Sequence, residues 1–121
     1  MKAKKKVLIV EDNSDLRRLY AIGLNQRGFE VKLAANGAEA VDRIEHEAPD
    51  ILILDLLMPI MNGWEVIQRL ERGGTTAGIP VIIISGQPEK GDRPLPEKVV
   101  AWLSKPVSLD ELAAKITEVS A

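Results

Sequence analysis

The sequence of 121 residues contains no cysteine, a single histidine and only four aromatic side chains: two Trp, one Tyr and one Phe. The absence of cysteine excludes disulfides, thiol catalysis and zinc sites built on thiolates. The histidine, His46, lies in the polar segment RIEHEAP and is interpreted as a solvated side chain. Because a chain without thiols fits a reducing compartment, we expect a cytoplasmic protein.

The chain also lacks a strong excess of either charge and any long apolar segment. Its formal net charge is −2, which argues against a general attraction to nucleic acid or anionic lipid. The N-terminal stretch MKAKKKVLIVED has an apolar run of only four residues, too short for a signal peptide or a membrane span. Its lysines are interpreted as a charged leader, since no aromatic residues are interleaved with them. We therefore expect no direct nucleic-acid binding and no membrane contact.

The chain has the size and composition of one domain, which we assign to residues 1–121. Hydrophobic residues make up 45% of it, enough for one core, and the length is too short for two. Short apolar runs alternate with amphipathic segments of helical spacing, which predicts an α/β fold with a doubly wound, five-stranded parallel sheet. The predicted strands are 7–10, 31–35, 51–54, 81–84 and 101–103, and the helical stripes begin at Leu16, Ala38, Val66 and Leu109.

Two linkers differ from the rest of the pattern. The stretch GGTTAG, residues 73–78, predicts a flexible surface loop before the fourth strand. The stretch GQPEKGDRPLP, residues 86–96, replaces the expected crossover helix between the fourth and fifth strands, because its three prolines and two glycines oppose a helix. We expect that helix to be shortened or replaced by a Pro-rich loop, with at best a turn at residues 97–100.

Polar side chains follow four of the five predicted strands. Glu11 and Asp12 follow the first strand, Asp55 the third and Ser85 the fourth, and Lys105 comes shortly after the fifth. In an open parallel sheet these strand ends share one edge, where ligands bind. Each residue alone would be interpreted as a cap, a loop residue or a solvated charge. Their occurrence together at successive strand ends predicts a reactive site.

The chemistry of this set indicates phosphoryl transfer. Three crowded carboxylates repel one another unless a cation intervenes, and all-oxygen ligands suit Mg²⁺ or Mn²⁺ better than zinc. A carboxylate such as Asp55 can be the nucleophile toward a phosphoryl group, giving an aspartyl phosphate. The metal ion on one side and the Lys105 ammonium on the other would neutralise the transferred group, with a hydrogen bond from Ser85.

These motifs resemble the receiver domain of a two-component response regulator along essentially the whole chain. The resemblance implies a flavodoxin-like fold with the sheet order 2-1-3-4-5 known for a chemotaxis member of the family. The phosphoryl donor would be a phosphohistidine of a sensor histidine kinase or a phosphotransfer protein, and the signal would pass to an output domain or a downstream protein. The segments that carry the resemblance are VLIVEDN (7–13), LILDLLMPIMNGWE (52–65), VIIISG (81–86) and WLSKP (102–106).

The resemblance also implies roles for individual residues. Asp55 would be the phosphoryl acceptor and would bind Mg²⁺ with Asp12 and the backbone carbonyl of Leu57, and Glu11 would contribute through the water shell of the metal ion. Ser85 and Lys105 match the hydroxyl and the lysine that bind phosphoryl oxygens in the family.

Three further expectations concern the lysine, the switch residues and self-association. Receivers typically have a cis peptide bond at the position of Lys105–Pro106. Ser85 and Trp102 occupy the positions of the hydroxyl and the aromatic residue through which receivers convert phosphorylation into a change of their surface. Because an indole is larger than the usual phenol or phenyl ring, the inward swing of Trp102 is expected to be small or missing. The Pro-rich link leaves open whether the chain forms a dimer through that face.

Two alternatives are weighed against a phosphorylated receiver. A phosphorylation-independent interaction module with the same fold would explain the altered link and Trp102. A magnesium-dependent phosphatase acting on external phosphoesters ranks last, because enzymes resembling haloacid dehalogenases usually carry a second Asp where this chain has Leu57, together with a cap. We therefore expect no enzymatic activity beyond the chain's own phosphorylation and dephosphorylation.

Overall fold

The computed structural model describes residues 4–56, 58, 61–86 and 95–120. Strands form at all five apolar runs and helices at all four amphipathic stripes, in strict alternation up to β4. The strands are β1 (Lys6–Val10), β2 (Glu30–Ala34), β3 (Ile51–Asp55), β4 (Val81–Ser85) and β5 (Val99–Ser104). The helices are α1 (Ser14–Gln26), α2 (Gly37–His46), α3 (Gly63–Glu71) and α4 (Leu109–Ser120).

The five strands form one parallel sheet in the order β2-β1-β3-β4-β5, which confirms the expected fold. Every residue of β3 and β4 is buried. This explains why their sequences are unbroken apolar runs, since an interior strand of such a sheet is covered on both faces. The register between β4 and β5 shifts near Val81 and Ile82.

Two apolar layers hold the helices against the sheet. On one face, Ala40 and Ile44 of α2 and Val66 of α3 pack on the even-numbered residues of β1 and β3. On the other face, the helices α1 and α4 pack on the odd-numbered residues through Leu24, Leu112 and other side chains. The sheet is therefore doubly wound, and none of the helices in the described ranges has the length and hydrophobicity that a bilayer crossing needs.

Polar side chains cap the starts of three helices. The Asn36 side chain accepts a hydrogen bond from the backbone N–H of Glu39 at 2.9 Å, and Ser108 accepts one from the N–H of Glu111 at 3.0 Å. Asn62 and Glu65 form a complete capping box at the start of α3. These caps satisfy donors that the first turn of a helix otherwise leaves unpaired.

The two linkers differ in outcome. The stretch that we expected to be a flexible loop contains a 3₁₀ turn at Gly74–Gly78, because the Thr76 hydroxyl donates to the carbonyl of Leu70 at 2.9 Å and ties the turn to the end of α3. Of the Pro-rich link, residues 87–94 lie outside the described residues. The part described before β5, residues 95–98, contains a turn at 97–98 and no helix.

Candidate functional site

Three carboxylates meet at the carboxyl edge of the sheet. Val10 pairs with Leu54, so Glu11 and Asp55 follow directly on neighbouring strands, and Asp12 lies one residue further. One carboxylate oxygen from each of the three lies within 4.8 Å of the others. Glu11 and Asp55 are 2% and 5% exposed, whereas Asp12 is exposed. The cluster therefore has a buried floor and an open side.

Lys105 bridges the two buried carboxylates. Its ammonium Nζ lies 2.9 Å from Oε1 of Glu11 and 3.0 Å from Oδ2 of Asp55. The backbone N–H of Lys105 donates to the carbonyl of Ser85 at 2.8 Å, which ties the lysine to the end of β4. The peptide bond between Lys105 and Pro106 is cis, as the resemblance implied. One cation thus serves two acids that burial would otherwise leave uncompensated.

The pKa values of Glu11 and Lys105 are both raised, but for different reasons. Burial raises the pKa of Glu11 above its usual 4.5, although the hydrogen bonds from Lys105 and from the backbone of Asn13 oppose the shift. For Lys105, burial favours the neutral amine, but hydrogen bonds to Glu11 and Asp55 and the charge of both carboxylates outweigh it and raise its pKa. Lys105 is therefore a fixed positive charge at neutral pH.

Ser85 and Trp102 lie on the strands that flank this cluster. Asp55 pairs with Ile84, so the buried Ser85 is one residue further along the neighbouring strand. Trp102, on β5, pairs with Ile83 of β4 and packs, partly buried, against the core on the α3 side. Its ring centroid is 6.4 Å from that of Trp64, with the two planes at 47°. The indole thus has an aromatic neighbour at the start of α3.

Two residues that the sequence did not single out contact the acidic loop. Nη1 of Arg17 donates to the carbonyl of Glu11 at 2.8 Å and to that of Asp12 at 3.3 Å. Asn13 caps α1 through its side chain, and its backbone N–H donates to Oε2 of Glu11 at 3.1 Å. The capping pattern could have indicated Asn13. No local signal separates Arg17 from Arg18 beside it.

The donor set fits a hard divalent cation. Each of the three acids offers a carboxylate oxygen, and the exposed Asp12 leaves one side of the cluster open for water and ligand oxygens. Oxygen-only ligation of this kind is what Mg²⁺ prefers. The carbonyl of Leu57, which the resemblance implied as a further ligand, lies outside the described residues.

The sequence of residues 7–117 matches the family model described as the response regulator receiver domain. The chain belongs to the response regulator receiver domain family. Receiver domains use Mg²⁺, and the three acids of this receiver form the cluster that could bind it. The acidic cluster is consistent with a phosphoacceptor site.

Proteins of different kinds contain a segment similar to this receiver. It is 36% identical over 114 residues to the sensor histidine kinase TmoS of Ectopseudomonas mendocina, covering 93% of this chain and 12% of the kinase. It is 33% identical over 113 residues to the response regulator MprA of Mycobacterium tuberculosis, covering 92% of this chain and 48% of MprA. The chain thus spans about half or less of the length of these curated relatives.

A solved structure with the same fold is the chemotaxis protein CheY4 of Vibrio cholerae. It superposes with a TM-score of 0.85 at 27% identity and covers 97% of this chain and 99% of that chain. This likeness covers nearly the whole of both chains, so the two proteins share their overall fold.

Proposed function

We propose that this receiver accepts a phosphoryl group on Asp55 from a phosphohistidine of a sensor kinase or phosphotransfer protein. The observation that supports this best is the placement of the buried Asp55 carboxylate 3.0 Å from the Lys105 ammonium, beside two further carboxylates that could hold Mg²⁺. A buried nucleophile with a fixed cation on one side and an open, oxygen-lined side matches the needs of phosphoryl transfer.

In the transfer, a carboxylate oxygen of Asp55 attacks phosphorus while the bond between phosphorus and the donor's imidazole nitrogen breaks. The electron pair of that bond returns to the imidazole, and the phosphoryl group becomes an acyl phosphate on Asp55. The Lys105 ammonium pairs with a phosphoryl oxygen, and the Ser85 hydroxyl donates to another. Glu11, Asp12, Asp55 and the carbonyl of Leu57 would hold Mg²⁺, which supplies further neutralisation of the phosphoryl oxygens when bound.

The transfer gives a phosphorylated receiver, and water can later reverse the modification. Hydrolysis of the acyl phosphate returns the Asp55 carboxylate and releases inorganic phosphate, so no external substrate is turned over. We assign residues 1–121 to a single cytoplasmic domain whose partners are the kinase or phosphotransfer protein and an output domain or downstream protein. Neither direct nucleic-acid binding nor a membrane contact belongs to this proposal.

Intact-mass analysis tests the proposal. After incubation with Mg²⁺ and acetyl phosphate, the chain is expected to gain one phosphoryl group, and the gain should disappear in Asp55→Asn and on chelation of the metal ion. Asp12→Asn is expected to raise the Mg²⁺ concentration needed for half of the maximal gain, without removing the acceptor. A folded wild-type chain that gains no mass would contradict the proposal and favour a phosphorylation-independent interaction module.

Trp102 is expected to move little on phosphorylation. It packs against the core beside Trp64, and an indole needs more space to rotate than a phenol. In a Trp64→Phe background, where Trp102 is the only tryptophan, fluorescence should change only slightly when the chain is phosphorylated. A strong change that disappears in Ser85→Ala would show instead that Trp102 swings in response to the hydroxyl residue.

A further inference from the structure

Arg17 binds the backbone of the loop that carries two of the three acids. Its side chain is half-buried in the first turn of α1, and one guanidinium nitrogen, Nη1, donates to the carbonyls of Glu11 and Asp12 at 2.8 and 3.3 Å. The backbone N–H of Arg17 also donates to the carbonyl of Asn13 at 3.0 Å. Arg17 thus contacts three successive carbonyls of the link between β1 and α1.

These contacts fix the direction of the Asp12 side chain. The carbonyl of Glu11 belongs to the peptide plane before the Asp12 Cα, and the carbonyl of Asp12 belongs to the plane after it. Two fixed planes determine both backbone torsions of Asp12, and with them the direction of its Cα–Cβ bond. Asp12 is exposed, so core packing does not orient it as it orients Glu11 and Asp55. The hydrogen bonds from the Arg17 guanidinium orient Asp12 instead.

We infer that Arg17 is a positioning residue for the metal site, which it preorganises through the backbone of Glu11 and Asp12 without touching the metal ion. This inference rests on the proposed function of the acidic cluster. Residues that orient the ligands of a metal ion contribute substantially to its affinity. Arg17 therefore supports Mg²⁺ binding although it carries a positive charge.

The sign of the effect separates positioning from electrostatics. Removing a cation near three carboxylates should by itself strengthen Mg²⁺ binding, because one repulsive charge is lost. Losing the orientation of Asp12 should weaken it. Arg18, the next residue on α1, is exposed and offers a matched control with the same change in charge.

Isothermal titration of the metal-free full chain with MgCl₂ tests the inference. Arg17→Met is expected to raise the Mg²⁺ dissociation constant roughly 10-fold. Arg18→Met should leave it unchanged or lower it slightly. Arg17→Lys should lie between wild type and Arg17→Met, because an ammonium can replace a single bond to a carbonyl. At saturating Mg²⁺, phosphorylation of Arg17→Met by acetyl phosphate should approach the wild-type rate.

A second measurement needs no metal ion. Amide hydrogen exchange at Asn13, whose N–H donates to Glu11, should be faster in Arg17→Met than in Arg18→Met. If wild type binds Mg²⁺ and Arg17→Met binds it equally or more tightly, the inference about Arg17 is wrong and the proposed function stands. If folded wild type binds no Mg²⁺, both are wrong. Should Arg17→Met fail to fold, an Arg17→Lys variant with wild-type affinity and exchange would likewise overturn the inference.

Discussion

Replacing Lys105 by Met is expected to slow phosphorylation of Asp55 by about 100-fold or more while leaving Mg²⁺ binding intact or stronger. The ammonium is 2.9 Å from Glu11 and 3.0 Å from Asp55, so it is placed to neutralise the phosphoryl oxygens as they arrive. It also competes with a metal ion for the same two carboxylates. Loss of the ammonium should therefore slow the transfer, because the phosphoryl oxygens are less well neutralised. It should also remove a positive charge that repels the metal ion.

The same variant should lower the stability of the metal-free protein. Breaking a buried ion pair by removing one partner costs about 3 kcal/mol, because the remaining charge stays buried without compensation. Urea unfolding at neutral pH, with and without Mg²⁺, should show the loss and its partial recovery by the metal ion. A Lys115→Met variant is the control, since Lys115 pairs with Glu118 on α4. If Lys105→Met is phosphorylated at the wild-type rate, Lys105 has no role in the transfer.

The stability loss should depend on pH in a defined direction. The pKa of Glu11 is already raised by burial, so its contribution to stability is present below its usual 4.5 and is lost as the pH rises through its folded value. Without the hydrogen bond from Lys105, that pKa rises further. The stability difference between Lys105→Met and wild type should therefore be largest near neutral pH and should shrink as the pH falls toward 4.5.

The second large effect is expected for Gly63→Ala, with a loss of about 2 kcal/mol of unfolding free energy. A Cβ at Gly63 would lie 2.9 Å from the carbonyl oxygen of Asp55, 2.9 Å from the Cα of Leu56 and 2.8 Å from its Cδ2. Two of these atoms are backbone atoms and cannot rotate away. The Gly63 N–H donates to the Leu56 carbonyl at 3.0 Å, so the backbone after Asp55 would be displaced from α3.

The functional result should follow from the same displacement. Because Asp55 carries the proposed acceptor carboxylate, Gly63→Ala should also slow phosphorylation at saturating Mg²⁺. Gly78→Ala is the matched control, since a Cβ there meets no atom within 4 Å. Chemical denaturation and intact-mass kinetics of the two variants decide the question. Equal unfolding midpoints and equal rates would show that the approach of α3 to β3 tolerates a methyl group.

The elements and the chemistry of the cluster could be predicted because both leave local signals. A strand buried on both faces must be apolar throughout, and β3 and β4 show this as ILIL and VIII. The acids that follow such runs stand out by contrast. The strand ends were less predictable: β5 begins at Val99, two residues before the predicted start, because Val99 already pairs with Val81 of β4.

Individual side-chain contacts left no such signal. The 3₁₀ turn depends on the Thr76 hydroxyl reaching Leu70, which a Gly-rich stretch does not reveal. The bridging position of Lys105 between Glu11 and Asp55 could be expected only once the sheet order was known. Arg17 and Arg18 are equivalent in sequence, and only the turn of α1 decides which of them reaches the carbonyls of the acidic loop.

The separation of Glu11 from Lys105 has a consequence for synthesis of the chain. The two side chains are in contact although they are 94 positions apart in the sequence. On the ribosome, β1, β3 and β4 can therefore emerge and begin to pair while Glu11 and Asp55 still lack their cation. Burying the carboxylates at that stage is unfavourable, so the acidic edge should remain hydrated until the last strand joins. Arrival of Lys105 would then allow the two carboxylates to become buried, so this contact should form late in folding.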